Sequence, residues 1–125
     1  MKTRYKILYV DDEKSNLRIF KDTFRRDFDV RLAESAYQAL EMLDEDLVEV
    51  VITDQRMPGM TGVELLKEIN DKYTDIPPNR LIVSGYAQDQ DIEKAYKEYR
   101  LFQFISKPWD YDELKQIIYN AVKKR

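Results

Sequence analysis

The chain contains neither cysteine nor histidine. Without these residues there are no disulfide bonds, no thiolate nucleophiles, no Ser-His-Asp triads, and no zinc sites built on sulfur or imidazole ligands. Glycine is also scarce, with three in the chain, and there is a single tryptophan. Any chemistry must therefore come from carboxylates, hydroxyls, lysines and arginines.

The sequence also lacks a strong charge imbalance and any long apolar run. Its 125 residues include 21 basic and 24 acidic side chains, which gives a net charge of −3. The chain therefore lacks the excess of positive charge that is typical of nucleic-acid-binding proteins. No apolar segment is long enough to act as a signal peptide or to span a membrane. We expect a single domain over residues 1–125 that is cytoplasmic and contacts neither nucleic acid nor membrane.

Short apolar runs alternate along the chain with segments whose apolar residues recur every three or four positions. The runs predict strands at 5–10, 29–33, 48–53, 81–83 and 101–105. The periodic segments predict helices at 14–26, 36–43, 60–73, 88–99 and 110–122, with Ser35 and Asp110 as N-caps. Strict alternation of this kind predicts an α/β fold, in which a parallel sheet has helices on both faces and ligands bind at the carboxyl ends of the strands.

Chemically capable side chains follow four of the five predicted strands. They are Asp11 and Asp12, Asp54, Ser84, and Lys107. Strand ends in a parallel sheet share one edge, so these groups are predicted to converge. Carboxylates at ~4 Å repel by about 4 kcal/mol at an effective dielectric near 20, and a hard divalent cation would relieve this. Oxygen ligands alone favour Mg²⁺.

Asp54 stands alone at the end of its strand, and a constrained loop follows it. Pro58 restricts the backbone there, and two of the three glycines, Gly59 and Gly62, lie within eight residues of Asp54. A carboxylate in this position is a candidate nucleophile that would form an acyl phosphate. A hydroxyl and an ammonium group would supply the donors that phosphoryl transfer needs.

The sequence resembles the receiver domain of bacterial two-component response regulators over residues 4–123. The resemblance rests on an acidic pair, a V-I-T-D-x-x-M-P-x-x-x-G segment, a switch hydroxyl, a switch aromatic and a lysine followed by a cis-linked proline. In this chain they are Asp11-Asp12, Val51–Gly62 with Asp54 as phosphoacceptor, Ser84, Phe104 and Lys107-Pro108. The segments Gln55–Gly62 and Lys107-Pro108-Trp109 are further similar to those of receivers attached to HD-GYP-type phosphodiesterases or to transcriptional activators.

The resemblance implies a flavodoxin-like, doubly wound sheet of five strands in the order 2-1-3-4-5, flanked by five helices. It also implies that a histidine kinase or histidine phosphotransfer protein donates a phosphoryl group to Asp54 with Mg²⁺ or Mn²⁺. The metal ligands would be Asp11, Asp12, Asp54 and the backbone carbonyl of Arg56. Such a domain is a phosphoacceptor rather than an enzyme, although it promotes its own Mg²⁺-dependent phosphorylation and dephosphorylation.

In the family, the switch involves three side chains. By resemblance, Lys107 pairs with the phosphoryl group, Ser84 swings towards it, and Phe104 turns into the space that Ser84 leaves. The face formed by the fourth helix, fifth strand and fifth helix would then engage an output domain or a second copy of the chain.

Three positions depart from the commonest family pattern. Bulky residues at Arg56 and Tyr86 suggest the hypothesis that they shield an acyl phosphate and lengthen its lifetime. Arg100 stands where many members have glycine, which predicts a different turn geometry after the fourth helix.

Three other functions are compatible with a fold of this class, and two of them do not fit this chain. A flavodoxin-like carrier would need a phosphate loop where this chain has three acids, and a haloacid-dehalogenase-like phosphatase would need an Asp at position 56. A phosphorylation-independent protein-interaction module of the same fold remains the alternative to signalling.

Overall fold

The computed structural model describes residues 4–73, 79–85 and 90–123, which form five parallel strands and five helices. The strands are β1 (Lys6–Val10), β2 (Asp29–Ala33), β3 (Val50–Asp54), β4 (Asn79–Ser84) and β5 (Leu101–Ser106). The helices are α1 (Lys14–Phe24), α2 (Ala36–Glu45), α3 (Gly62–Lys72), α4 (Gln90–Glu98) and α5 (Tyr111–Lys123). The sheet order is β2-β1-β3-β4-β5, so the predicted fold is confirmed.

Helices cover both faces of the sheet. Strand side chains point alternately to opposite faces, so Leu8 of β1 packs with the side chains of α2, α3 and α4, whereas Ile7 packs with those of α1 and α5. All five residues of β3 are buried, as a central strand covered on both faces requires. Strand order reverses between β1 and β3, which places a crevice at their carboxyl ends.

Side-chain caps fix where three of the helices begin. The hydroxyl of Ser35 accepts a hydrogen bond from the backbone N–H of Gln38 (3.0 Å), and the carboxylate of Asp110 accepts one from that of Glu113 (3.0 Å), as predicted. A full capping box at α3, formed by Thr61 and Glu64, was not predicted, although the T-x-x-E spacing is its usual signature. This box starts α3 directly after the loop that follows Asp54.

The prediction of a different turn geometry at Arg100 is wrong. Arg100 itself adopts the left-handed conformation, with a φ of 58°, that glycine would take at this position. A side chain in this conformation costs about 1–2 kcal/mol relative to the right-handed one. The turn between α4 and β5 thus keeps its shape at the expense of local strain.

A buried arginine at the amino end of β4 was not predicted either. Arg80 is 1% exposed, and its Nη1 donates to the side chain of Asn70 and to the carbonyl of Tyr99, both at 3.3 Å. Within the described ranges, its Nε and Nη2 have no hydrogen-bond partner. Burial, followed by the charge of Arg100, lowers the pKa of Arg80 to about 10. This group lies at the sheet edge opposite the predicted site.

Candidate functional site

The carboxyl ends of the strands bring together two buried acids and a lysine. Asp11 follows β1, Asp54 ends β3 and Lys107 follows β5. The ammonium nitrogen of Lys107 lies 3.5 Å from Oδ2 of Asp11 and 3.6 Å from Oδ1 of Asp54. The backbone N–H of Lys107 also donates to the carbonyl of Ser84 (2.9 Å), which ties the end of β5 to the end of β4. A cation thus bridges two acids from different strands.

Asp11 is the most enclosed of the acids, with no exposed surface. Its Oδ2 accepts hydrogen bonds from the Tyr9 hydroxyl (3.1 Å) and from the Asn16 side-chain amide (3.2 Å). Its Oδ1 accepts from the backbone N–H of Glu13 (3.0 Å). Neither Tyr9 nor Asn16 was predicted to belong to the site. Tyr9 could have been found, because it lies two residues before Asp11 and so faces the same side of the strand.

Asp54 is buried and its charge is disfavoured. Its Oδ1 accepts a hydrogen bond from the backbone N–H of Gln55 at 2.9 Å. The pKa of Asp54 is raised, chiefly by burial and further by the negative charge of Asp11, while the positive charge of Lys107 opposes the shift. A positive ion at this site would remove part of that penalty.

Three carboxylates form a group that fits a divalent cation. Asp11, Asp12 and Asp54 each offer one oxygen, and these oxygens lie within 4.8 Å of one another. Asp12 is exposed, so the cluster opens to solvent on its side. Hard oxygen donors of this kind, with room for water, match the preference of Mg²⁺.

The loop after β3 is held in place by close packing. A Cβ atom at Gly62 would lie 2.4 Å from the carbonyl oxygen of Asp54, a distance that no side chain tolerates. The backbone N–H of Gly62 donates to the carbonyl of Gln55 (3.0 Å), and the Gln55 side chain accepts from the N–H of Val63 (2.8 Å). Gly59 adopts a φ of 80°. These constraints fix the backbone that carries Asp54.

The remaining predicted residues occupy three different settings. Ser84 is buried at the end of β4, and Phe104 is half-buried on β5, where its backbone N–H donates to the hydroxyl of Tyr96 (2.6 Å). Arg56 is exposed in the loop after Asp54. Tyr86 lies outside the described residues. The peptide bond between Lys107 and Pro108 is cis, as the resemblance implied.

A groove adjoins the acidic cluster. It has a volume of about 640 Å³, and its walls include the Lys107 side chain, Ile19 and Thr23 of α1, and Trp109. Ile19 is 55% exposed, which is high for an aliphatic side chain. An approaching molecule would therefore meet an apolar surface next to the charged groups.

The family model that describes the response regulator receiver domain matches residues 7–119. The chain belongs to this family. Receiver domains act in two-component signalling that depends on phosphorylation, and they are signalling domains rather than classical enzymes. Histidine kinases or phosphotransfer proteins phosphorylate them, and they bind Mg²⁺ at the acidic pocket.

Individual relatives agree with the family match. The chain is 36% identical over 117 residues to the hydrogenase transcriptional regulatory protein HoxA of Bradyrhizobium diazoefficiens, covering 94% of this chain and 24% of HoxA. It is 30% identical to sporulation initiation phosphotransferase F of Bacillus subtilis, covering 95% of this chain and 91% of that protein. The receiver thus spans about a quarter of HoxA but nearly all of the Bacillus protein.

A solved structure shows the same fold. The signal receiver domain of an HD domain-containing protein from Pseudomonas fluorescens Pf-5 superposes with a TM-score of 0.88 at 30% identity, covering 96% of this chain and 95% of that one. Within residues 4–73, 79–85 and 90–123, no helix has both the length and the apolar character to cross a membrane.

Proposed function

We propose that Asp54 of this receiver accepts a phosphoryl group from a histidine kinase or phosphotransfer protein. The observation that carries the proposal is the position of Asp54, a buried carboxylate that meets Lys107 at 3.6 Å and the oxygens of Asp11 and Asp12 within 4.8 Å. We further propose that residues 1–125 form one receiver domain that works in the cytoplasm.

In the transfer step, one carboxylate oxygen of Asp54 bonds to the phosphorus atom of the donor. The bond from phosphorus to the donor imidazole nitrogen breaks, and its electron pair stays on that nitrogen. With acetyl phosphate as the donor, the phosphorus–oxygen bond breaks and acetate leaves. Lys107 lies where its ammonium group would neutralise charge on the transferred oxygens.

The acidic cluster would hold Mg²⁺, or Mn²⁺, through Asp12, Asp54 and the backbone carbonyl of Arg56, with Asp11 contributing through water. The ion would supply charge neutralisation for the phosphoryl oxygens. The chain's own part is to keep three acids close together on a fixed backbone. The same residues would support the domain's own Mg²⁺-dependent phosphorylation and dephosphorylation.

Phosphorylation of Asp54 would change the conformation of the domain through Ser84 and Phe104. A phosphoryl group on Asp54 would attract the hydroxyl of Ser84, and Phe104 would fill the vacated space. A change from 1:99 to 99:1 in such a two-state switch takes about 5.5 kcal/mol. Charge-assisted bonds at about 1.5–3 kcal/mol each reach that sum. The face of α4, β5 and α5 would then contact an output domain or a second copy of the chain.

We assign Arg56 and Tyr86 a role in prolonging the lifetime of the acyl phosphate on Asp54. Bulky side chains two residues beyond Asp54 and Ser84 would hinder water that attacks the acyl phosphate. The double variant Arg56→Ala/Tyr86→Ala is expected to lose its phosphoryl group several-fold faster than wild type. Equal decay rates, measured by intact mass over time, would contradict this role.

Trp109 offers a direct test of the proposed function. Its ring packs against Phe20 and Phe24, at centroid distances of 6.1 and 5.4 Å, two residues beyond Lys107. Titration with Mg²⁺ followed by acetyl phosphate is expected to change its fluorescence in two steps. In Asp54→Asn the second step is expected to disappear. A second step that persists in this variant would contradict the assignment of Asp54.

A further inference from the structure

Oδ2 of Asp11, the oxygen that Lys107 approaches, accepts hydrogen bonds from two uncharged donors. The Tyr9 hydroxyl lies 3.1 Å and the Asn16 amide nitrogen 3.2 Å from this oxygen, whereas the Lys107 nitrogen lies 3.5 Å away. The two neutral donors are therefore nearer to the carboxylate than the cation is. An acid that already has these partners gains less from a closer approach of the ammonium group.

The Tyr9 hydroxyl is held rigidly. Tyr9 is 1% exposed, and its ring stacks on Phe20 with centroids 4.1 Å apart and an interplanar angle of 2°. Asn16 approaches the same oxygen from α1. The two donors come from different elements, so the carboxylate of Asp11 is fixed from the strand and from the helix together.

Lys107 lies at almost equal distances from the two acids, 3.5 Å from Asp11 and 3.6 Å from Asp54. We propose that Tyr9 and Asn16 are positioning residues that satisfy Asp11 and thereby keep Lys107 shared between the two acids. From this position the ammonium group reaches a phosphoryl group on Asp54 without first breaking a tight pair with Asp11. The inference rests on the proposed function of Asp54.

The substitution Tyr9→Phe is expected to draw Lys107 towards Asp11. The phenylalanine ring keeps the stack on Phe20, but the buried Oδ2 of Asp11 loses a donor. Lys107 then moves towards Asp11 to replace it, where it competes with Mg²⁺ for the carboxylate and withdraws from Asp54. Because the ammonium group of Lys107 then competes with Mg²⁺ for Asp11, Mg²⁺ binding is expected to weaken about tenfold, the lower end of the effects that changes around metal ligands have on metal affinity. Phosphorylation by acetyl phosphate at saturating Mg²⁺ is also expected to slow several-fold.

A four-protein cycle tests the role of Lys107 in this effect. The Mg²⁺ dissociation constant is measured by calorimetry for wild type, Tyr9→Phe, Lys107→Ala and the double variant. The expected result is a weakening of about tenfold when Lys107 is present and a change of less than about twofold when it is absent. The same factor in both backgrounds, or no weakening in either, would overturn the proposal, because the hydroxyl would then act without the lysine.

Control variants separate this role from a general effect on folding. Tyr119→Phe removes a hydroxyl from a half-buried tyrosine of α5 whose ring packs against Tyr5 and Phe28, and it is expected to leave Mg²⁺ binding unchanged. If Tyr9→Phe does not fold, as judged by circular dichroism, Asn16→Ala takes its place in the cycle with the same expected pattern. Phosphorylation of the wild type tests the proposed function separately, since the Mg²⁺ cycle does not depend on it.

Discussion

Replacing Asp54 with Asn is expected to stabilise the metal-free protein at pH 7. In wild type, burial and the charge of Asp11 raise the pKa of Asp54, and Lys107 opposes them. At ~4 Å and an effective dielectric near 20, each of these charge pairs is worth about 4 kcal/mol. The repulsion and the attraction therefore nearly cancel, and the cost of burying the charge remains. We expect the free energy of unfolding to rise by about 1–2 kcal/mol, an ordinary size for one substitution.

The difference in the free energy of unfolding between Asp54→Asn and wild type should shrink as the pH falls. Because the pKa of Asp54 is raised by folding, the folded protein holds this proton more tightly than the unfolded chain does. The wild type therefore recovers stability as the pH falls through the folded pKa. The gap between Asp54→Asn and wild type should be full above that pKa and should close below it.

Urea unfolding followed by circular dichroism, at a series of pH values in EDTA, measures this gap. Asp22→Asn is the matched control, since Asp22 of α1 is exposed and is not one of the three clustered acids, and its replacement should change stability little. Mg²⁺ at ten times its dissociation constant should add about 1.4 kcal/mol to wild type and less to Asp54→Asn. If Asp54→Asn is less stable than wild type at pH 7 in EDTA, the prediction is wrong, because the ion pair with Lys107 then outweighs the cost of burying the charge.

Other substitutions test the backbone that supports the site. Gly62→Ala would place a Cβ atom 2.4 Å from the carbonyl oxygen of Asp54, so we expect a loss of about 2 kcal/mol in urea unfolding and slower phosphorylation; unchanged stability would contradict the packing argument. Arg100→Gly should raise the free energy of unfolding by about 1 kcal/mol, because it relieves a φ of 58°, and a lower Tm would count against this. Ser35→Ala removes the cap on α2 and should cost about 1 kcal/mol, whereas Ser35→Asp should keep most of that stability.

The fold could be predicted because its signals are local. Most strands contain a short apolar run, although β2 includes Asp29 and Arg31. Each helix repeats apolar residues at the spacing of a turn, so most element types follow from neighbouring residues. Within the described residues, the predicted bounds differ from those in the structure by at most two residues. The predicted start of the fourth helix, at residue 88, lies outside them. The convergence of Asp11, Asp54 and Lys107 then follows from parallel strands alone, since their carboxyl ends share one edge.

The features that were missed depend on distant partners or on backbone detail. Nothing near Arg80 indicates that it is buried, because Asn70 and the carbonyl of Tyr99 accept its hydrogen bonds from other elements. Arg100 carries a side chain that disfavours the conformation it adopts, so its identity pointed away from the observed turn. Asn16 reaches Asp11 from a helix whose placement the sequence does not reveal.

Intact-mass spectrometry can establish whether Asp54 is the phosphoacceptor. Wild type, Asp54→Asn and Asp12→Asn are incubated with acetyl phosphate and Mg²⁺, and their intact masses are compared with those of samples in EDTA. We predict a gain of about 80 Da in wild type that needs Mg²⁺, is absent from Asp54→Asn, and is reduced but localised to Asp54 in Asp12→Asn. No adduct in wild type, or one that survives Asp54→Asn, would show that Asp54 is not the phosphoacceptor.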